Sequence, residues 1–246
     1  MKKTFGSALL AFALLVSGAA IGTAAGVPDP APLDAVLAAR ARNGGFDYLG
    51  MTAQDRKRHA AYVANLTEAP VAQMTPDEKK AFYINAYNAL AIQTLLDKPG
   101  KKIVDIDGAF KAKKYRVGGD MLTLDEIENK LRETGDPRIH FGIVCASKSC
   151  PPLASKAFTA ANVDAALDRL GREFVNDPSK NAIDRSSGKV ALSKIFFWNR
   201  KEFEKDGSIA KYVSRYVKDP ATARWLAAYG KEPEFLEYDW APNQTP

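Results

Sequence analysis

Cysteine and histidine are the scarce residues here, two of each in a chain of 246. Three of the four, His140, Cys145 and Cys150, fall in the single stretch RIHFGIVCASKSCPPL, residues 138–153, and His59 stands alone upstream. So few ligands argue against a metal centre, because a structural zinc takes two compact pairs of Cys or His. No metal is expected. The chain also lacks a glycine-rich phosphate loop and a dinucleotide fingerprint, so no cofactor is expected. It has no internal repeat and no low-complexity tract. Past the N-terminus no run approaches about 20 apolar residues, which excludes a later spanning helix.

The first residues have a different character. Lys2 and Lys3 precede the apolar SALLAFALLVSGAAIG, and GTAAG follows with small residues suited to a signal peptidase. Residues 1–25 are therefore expected to be a signal peptide, with export to the periplasm or the extracellular space and no stable membrane insertion after cleavage. No cysteine lies near the cleavage region, so a lipid-anchored cysteine is ruled out. Residues 26–32 are a Pro-rich linker, and 33–246 are expected to be one domain. Hydrophobic residues at 46% and charged residues at 26% suit a globular core. The net charge of +6 drops to about +4 without Lys2 and Lys3. That balance is too mild to demand nucleic acid, and no nucleic-acid partner is expected.

The best helix signal is TPDEKKAFYINAYNALAIQTLLDKPG. Thr75 and Glu78 form a capping box, Pro76 suits the first turn, and Pro99-Gly100 stop the run. Its apolar residues run almost all round, which predicts burial. Asn85 and Asn88 lie within it on one face, and buried amides need partners. They either tie loops to the helix or point into a site. Thr123 and Glu126 predict a second capping box. The segments around Gly118-Gly119-Asp120 and Ser186–Gly188 predict hairpins. KKIVDI is expected to be a strand. A polar helix is expected from Thr52, with His59 among its charges as a solvated residue. The basic KAKKYR, residues 111–116, is expected to be a lysine-protected strand edge. Helical spacing runs through Val163, Ala166, Leu167, Leu170 and Phe174, and three further short helices follow. Helices and antiparallel hairpins mixed without regular alternation make the fold α+β, with a buried central helix packed on a mostly antiparallel sheet and peripheral helices around it.

Read as a strand, RIHFGIVC sends His140 and Cys145 to opposite faces. The loop ASKSCPP brings Cys150 back towards Cys145, which leaves two readings. One is a bridge over a short loop, favoured by an even cysteine count in an exported chain. The other is a reactive thiol, favoured by the polar and basic surroundings of Ser147, Lys148 and Ser149.

Four segments, FYINAYNALAIQTLL, DPRIHFGIVCASKSCPPL, ALSKIFFWNRKEF and YDWAPN, together resemble the family known as domain of unknown function 547. The resemblance covers roughly Lys79 to Asn243. It falls on Asn85, Tyr87 and Asn88, then on His140, Cys145, Ser147, Cys150 and Pro151. It continues on Ser193, Lys194, Phe196 and Trp198 and ends on Asp239 and Trp240, with Phe196 and Trp198 expected in the core. The family layout is distantly similar to papain-like and transglutaminase-like thiol enzymes. Two functions follow as expectations. The first is a thiol-dependent hydrolase or acyl transferase acting on a peptide or similar amide. Cys145 or Cys150 would be its nucleophile and His140 its base, with Asn85, Asn88, Ser147 and Lys194 orienting or binding. The second is a non-catalytic module that binds a small ligand or partner, stiffened by a Cys145–Cys150 disulfide.

Overall fold

The computed structural model describes residues 26–245; the expected leader, residues 1–25, lies outside them. Among the described residues are ten α-helices and three small sheets, an α+β arrangement. In chain order these are α1 (Ala31–Arg40), β1 (Ala41–Arg42), β2 (Gly45–Phe46), α2 (Ala53–Asn65), α3 (Pro76–Asp97), β3 (Tyr115–Val117) and β4 (Asp120–Leu122). Then come α4 (Leu124–Arg132), α5 (Ile139–Gly142), α6 (Val163–Val175), β5 (Ala182–Asp184) and β6 (Lys189–Leu192). The chain ends with α7 (Lys194–Trp198), α8 (Arg200–Phe203), α9 (Ile209–Ser214), α10 (Pro220–Ala227) and β7 (Glu234–Phe235). No helix among the described residues is long and apolar enough to cross a membrane.

Helix α3 is the axis of the molecule. Thr75 and Glu78 cap it reciprocally, the Thr75 N–H donating to the Glu78 carboxylate at 2.8 Å and the Glu78 N–H to the Thr75 hydroxyl at 3.3 Å. From Lys80 to Leu95 nearly every residue is buried. Helices α2, α4, α5 and α6 all pack against it. Lys80 survives burial because its ammonium meets Asp136 at 3.2 Å and Asp164 at 3.1 Å. The β3–β4 hairpin turns on Gly118 and Gly119, both at positive φ, as the sequence predicts. The β5–β6 hairpin also forms, and β7 joins β6 in parallel.

Three local expectations need correction. KKIVDI is not a strand: a 3₁₀ turn spans Ile103–Asp105 and only Ile103 is buried in it. It has no neighbouring strand to pair with. His59 is not solvated but 1% exposed, because Asp55, His59 and Tyr62 make the one inward stripe of an otherwise charged α2. The segment around His140 is a single helical turn, α5, followed by extended chain.

The last correction has a clear physical cause. The Asn88 side chain donates to the Gly142 carbonyl at 2.8 Å and accepts from the Val144 N–H at 2.8 Å. One buried carboxamide thus supplies the donor and acceptor that a neighbouring strand would have offered. Gly142 adds to this, since a Cβ there would lie 2.7 Å from the Leu167 side chain of α6.

Two stability predictions follow. Asn88→Ala leaves two buried main-chain groups unpaired and should cost about 2–4 kcal/mol in urea unfolding. His59 finds no partner for either ring nitrogen, and burial, then the Arg56 charge, hold its pKa down to about 4. The unfolded chain therefore binds the extra proton between about pH 6.5 and pH 4, so stability falls as pH falls through that window. The contribution is roughly 3 kcal/mol between pH 7 and pH 4. In His59→Leu that part of the pH dependence should vanish from denaturation midpoints.

Candidate functional site

The chain leaves α3's clamp at Val144 and turns sharply. Ala146 adopts φ 62°, a left-handed conformation uncommon for a residue with a side chain. The turn is held from outside by the C-terminal segment. Asn243 N–H donates to the Ala146 carbonyl at 3.1 Å, Lys148 N–H to the Ala241 carbonyl at 2.8 Å and Ser149 N–H to the Asp239 carbonyl at 3.2 Å. The Ser149 hydroxyl accepts from the Asp239 N–H at 2.8 Å. Asp239 and its neighbours are therefore a strap over the cysteine loop, and the strap delivers Tyr238 to the sulfurs.

Both cysteines are free thiols, with their sulfurs 2.9 Å apart. The Tyr238 hydroxyl is 3.2 Å from the Cys150 sulfur and 3.4 Å from that of Cys145. The Cys145 N–H donates to the Cys150 sulfur at 3.1 Å, and the Ser147 hydroxyl lies 3.3 Å from the Cys145 sulfur. These contacts split the pair. Burial raises the Cys150 pKa, but hydrogen bonds from the Cys145 thiol, the Tyr238 hydroxyl and the main chain at Ser147 and Cys145 outweigh it and bring it down to about 7. Cys145 moves the other way: its hydrogen bond to Cys150, then burial, hold its proton well above the ordinary thiol range. Tyr238 stays protonated too, pushed up by burial and by the two sulfurs. Cys150 is the more acidic thiol of the pair, favoured by neighbouring donors rather than by a base.

The sulfurs face a cavity of about 490 Å³. Tyr87, Phe110, Trp198, Tyr238 and Trp240 give it an aromatic wall. Trp198, Tyr238 and Trp240 form one contiguous group, with ring centroids 4.5–5.8 Å apart. Trp198 is 47% exposed at this wall, which corrects its expected place in the core; Phe196 is buried as expected. Lys111, from the basic stretch, lines the same cavity.

His140 lines it as well, but the polar contacts of its ring point elsewhere. Its Nε2 is 2.9 Å from Glu202, and its Nδ1 is 3.9 Å from Glu128. Arg132 ties these carboxylates together, reaching Glu202 at 2.6 Å, Glu128 at 2.5 Å and the Asn199 side-chain oxygen at 2.6 Å. Burial opposes ionisation of Glu202, yet the hydrogen bond and charge of His140 and the charge of Arg132 keep its carboxyl below the ordinary range. Burial, then the Glu128 charge, raise Asp125 at the same end of the cavity.

The structure thus brings His140, Cys145 and Cys150 to one cavity. Ser147 sits beneath Cys145, buried, and lines a second, polar cavity of about 360 Å³. Asn88 clamps the site from behind. Asn85 is engaged elsewhere, pairing with the Phe158 N–H at 2.9 Å and the Phe158 carbonyl at 2.7 Å. Lys194 lies outside the cavity and pairs with Glu237 at 2.9 Å. Tyr238, Glu202, Glu128 and Arg132 were not singled out from the sequence. The Glu128–Arg132 spacing of four on α4 and the position of Tyr238 as the first residue of the YDWAPN segment were the available signals. Among the described residues, no group of three or more His, Cys, Asp or Glu is arranged to hold a metal.

Alkylation by iodoacetamide should follow a single thiolate. Its rate should rise with pH through a midpoint near 7, with the adduct on Cys150 by peptide mapping. Tyr238→Phe removes one donor and should move that midpoint up by roughly one unit.

No curated protein and no solved structure matches the chain. A family model does, the one described as "Protein of unknown function, DUF547", over residues 71–175. That span contains α3, the Asn88 clamp, His140 and both cysteines, while Glu202, Trp198 and the strap with Tyr238 lie beyond it. This segment, which carries the helix, the clamp and the thiols of the site, is a match to the DUF547 family.

Proposed function

We propose that this is an exported, periplasmic or extracellular, thiol-dependent enzyme that hydrolyses a peptide or similar amide or transfers its acyl group. The observation that carries the reading is the Cys150 sulfur, which accepts from the Cys145 N–H, lies 3.2 Å from the Tyr238 hydroxyl and belongs to a residue lining an aromatic cavity. Cys150 attacks the carbonyl carbon, and the amine leaves with a proton to give a thioester on Cys150. Water or an acceptor amine then takes the acyl group and restores the thiol. A thiol whose pKa is held down by donors needs no base in contact with it, which fits a His140 engaged with Glu202. His140, which lines the cavity, is the acid–base group for the leaving amine and for the incoming water, with Glu202 paired to its ring. The Trp198–Tyr238–Trp240 wall suits an apolar or aromatic part of the substrate. The distant likeness to papain-like and transglutaminase-like enzymes belongs to this proposal. Here the thiol arrives from the loop after α5, and the buried helix contributes the clamp. The substrate is a small molecule or peptide, with no nucleic acid and no stable membrane insertion.

The second reading is a binding module without turnover, its loop closed by a Cys145–Cys150 disulfide. The 2.9 Å approach of the sulfurs favours it.

The two separate in one experiment. Incubation with N-acetyl-phenylalanine p-nitrophenyl ester should leave an acyl group on Cys150, seen by peptide mass mapping. Turnover should fall about a thousand-fold or more in Cys150→Ala and persist in Cys145→Ser. Acylation absent from Cys150, or turnover unchanged in Cys150→Ala, would overturn the enzyme reading.

A further inference from the structure

We infer that Cys150 and Cys145 are an attacking and a resolving thiol, and that the protein exchanges its dithiol with disulfide-bearing substrates. The inference stands apart from the amide chemistry, because it uses both sulfurs where acyl transfer uses one.

Three observations carry it. The sulfurs are free and 2.9 Å apart, whereas a disulfide forms at about 2.0 Å, so closure needs a side-chain shift of about 1 Å. The loop between them is pinned at Ala146, Lys148 and Ser149 by the strap, so the backbone has no need to rearrange between the two states. Both residues line the cavity, Cys150 at 4% exposure and Cys145 partly exposed, so the two thiols address one substrate site.

The roles follow from the hydrogen bonds. The Cys150 sulfur accepts from the Cys145 N–H and lies 3.2 Å from the Tyr238 hydroxyl, an arrangement that favours negative charge on it. It attacks one sulfur of R–S–S–R′; the Cys150–S–R bond forms, the substrate S–S bond breaks, and R′S⁻ departs. R′S⁻ takes the proton of Cys145. The Cys145 thiolate then attacks the Cys150 sulfur, expelling RS⁻ and closing the Cys145–Cys150 bond. The substrate disulfide gains two electrons and becomes two thiols, and the protein dithiol loses the same two. An external dithiol returns the protein to its starting state. While the pair is closed, Cys150 is not available as a nucleophile.

The test uses fully reduced protein, 26–246, with glutathione disulfide as the probe. Wild type should lose both titratable thiols and become two hydrogens lighter, with little glutathione retained, and dithiothreitol should restore both thiols. Cys145→Ser should trap glutathione on the remaining cysteine at least about tenfold more than wild type, and Cys150→Ser should trap almost none. Equal trapping in the two variants, or two thiols remaining in the wild type, would overturn the assignment. A bridge that excess dithiothreitol leaves closed would also overturn it, by marking a fixed structural disulfide. Acylation of Cys150 in Cys145→Ser is measured separately. Exchange lost with acylation kept removes this inference alone, and acylation lost with exchange kept removes only the amide reading.

Discussion

The carboxamide of Asn88 is the interaction on which the rest of the site depends. It sits on a helix buried on nearly all sides, and it pairs with the main chain on both sides of Ile143, at Gly142 and Val144. A buried amide with both ends satisfied is specific as well as stabilising, because almost any displacement breaks two bonds at once. His140 lies two residues before the first anchor point, and Cys145 one residue after the second. The clamp therefore sets where both reactive side chains enter the cavity, although neither touches it.

From that point the chemistry divides into two neighbourhoods that share one cavity. At one end, His140 and Glu128 line the cavity, with Glu202 and Arg132 paired to them from behind. At the other, two sulfurs and a tyrosine hydroxyl lie in mutual contact. The thiol end differs in principle from a thiol activated by an imidazole. The lowered Cys150 pKa rests on hydrogen bonds with Cys145 and Tyr238, so it depends on the C-terminal strap staying in place. That gives residues near 239–243 a mechanical part in the electrostatics of a loop nearly a hundred positions earlier.

Much of this architecture could be read from residue order alone. The capping boxes at Thr75 and Thr123, the two hairpins, the helix at Val163–Val175 and the burial of α3 all rest on local rules, and those rules held. The failures share a cause, since each depended on a partner distant in the chain. RIHFGIVC has strand composition, but Asn88 meets its hydrogen bonds in place of a second strand. His59 sits in a charged helix, yet the face it occupies is the one α2 turns inward. Trp198 has core chemistry, but Tyr238 and Trp240 arrive to make a cavity wall of it. The crowding of His140 and both cysteines into one stretch does correspond to residues that line one cavity. The identity of their neighbours did not follow, because Tyr238 and Glu202 come from segments separated by dozens of residues.

The clamp and the thiols are linked through one residue: Asn88 fixes Val144, and the next residue, Cys145, gives its N–H to the Cys150 sulfur and so helps to hold the Cys150 pKa down. The most direct test is the pH midpoint of Cys150 alkylation in Asn88→Ala, at a temperature where circular dichroism shows the variant folded. The account predicts a move from about 7 towards the ordinary thiol value of about 8.5. A midpoint that stays near 7 in the folded variant would contradict it.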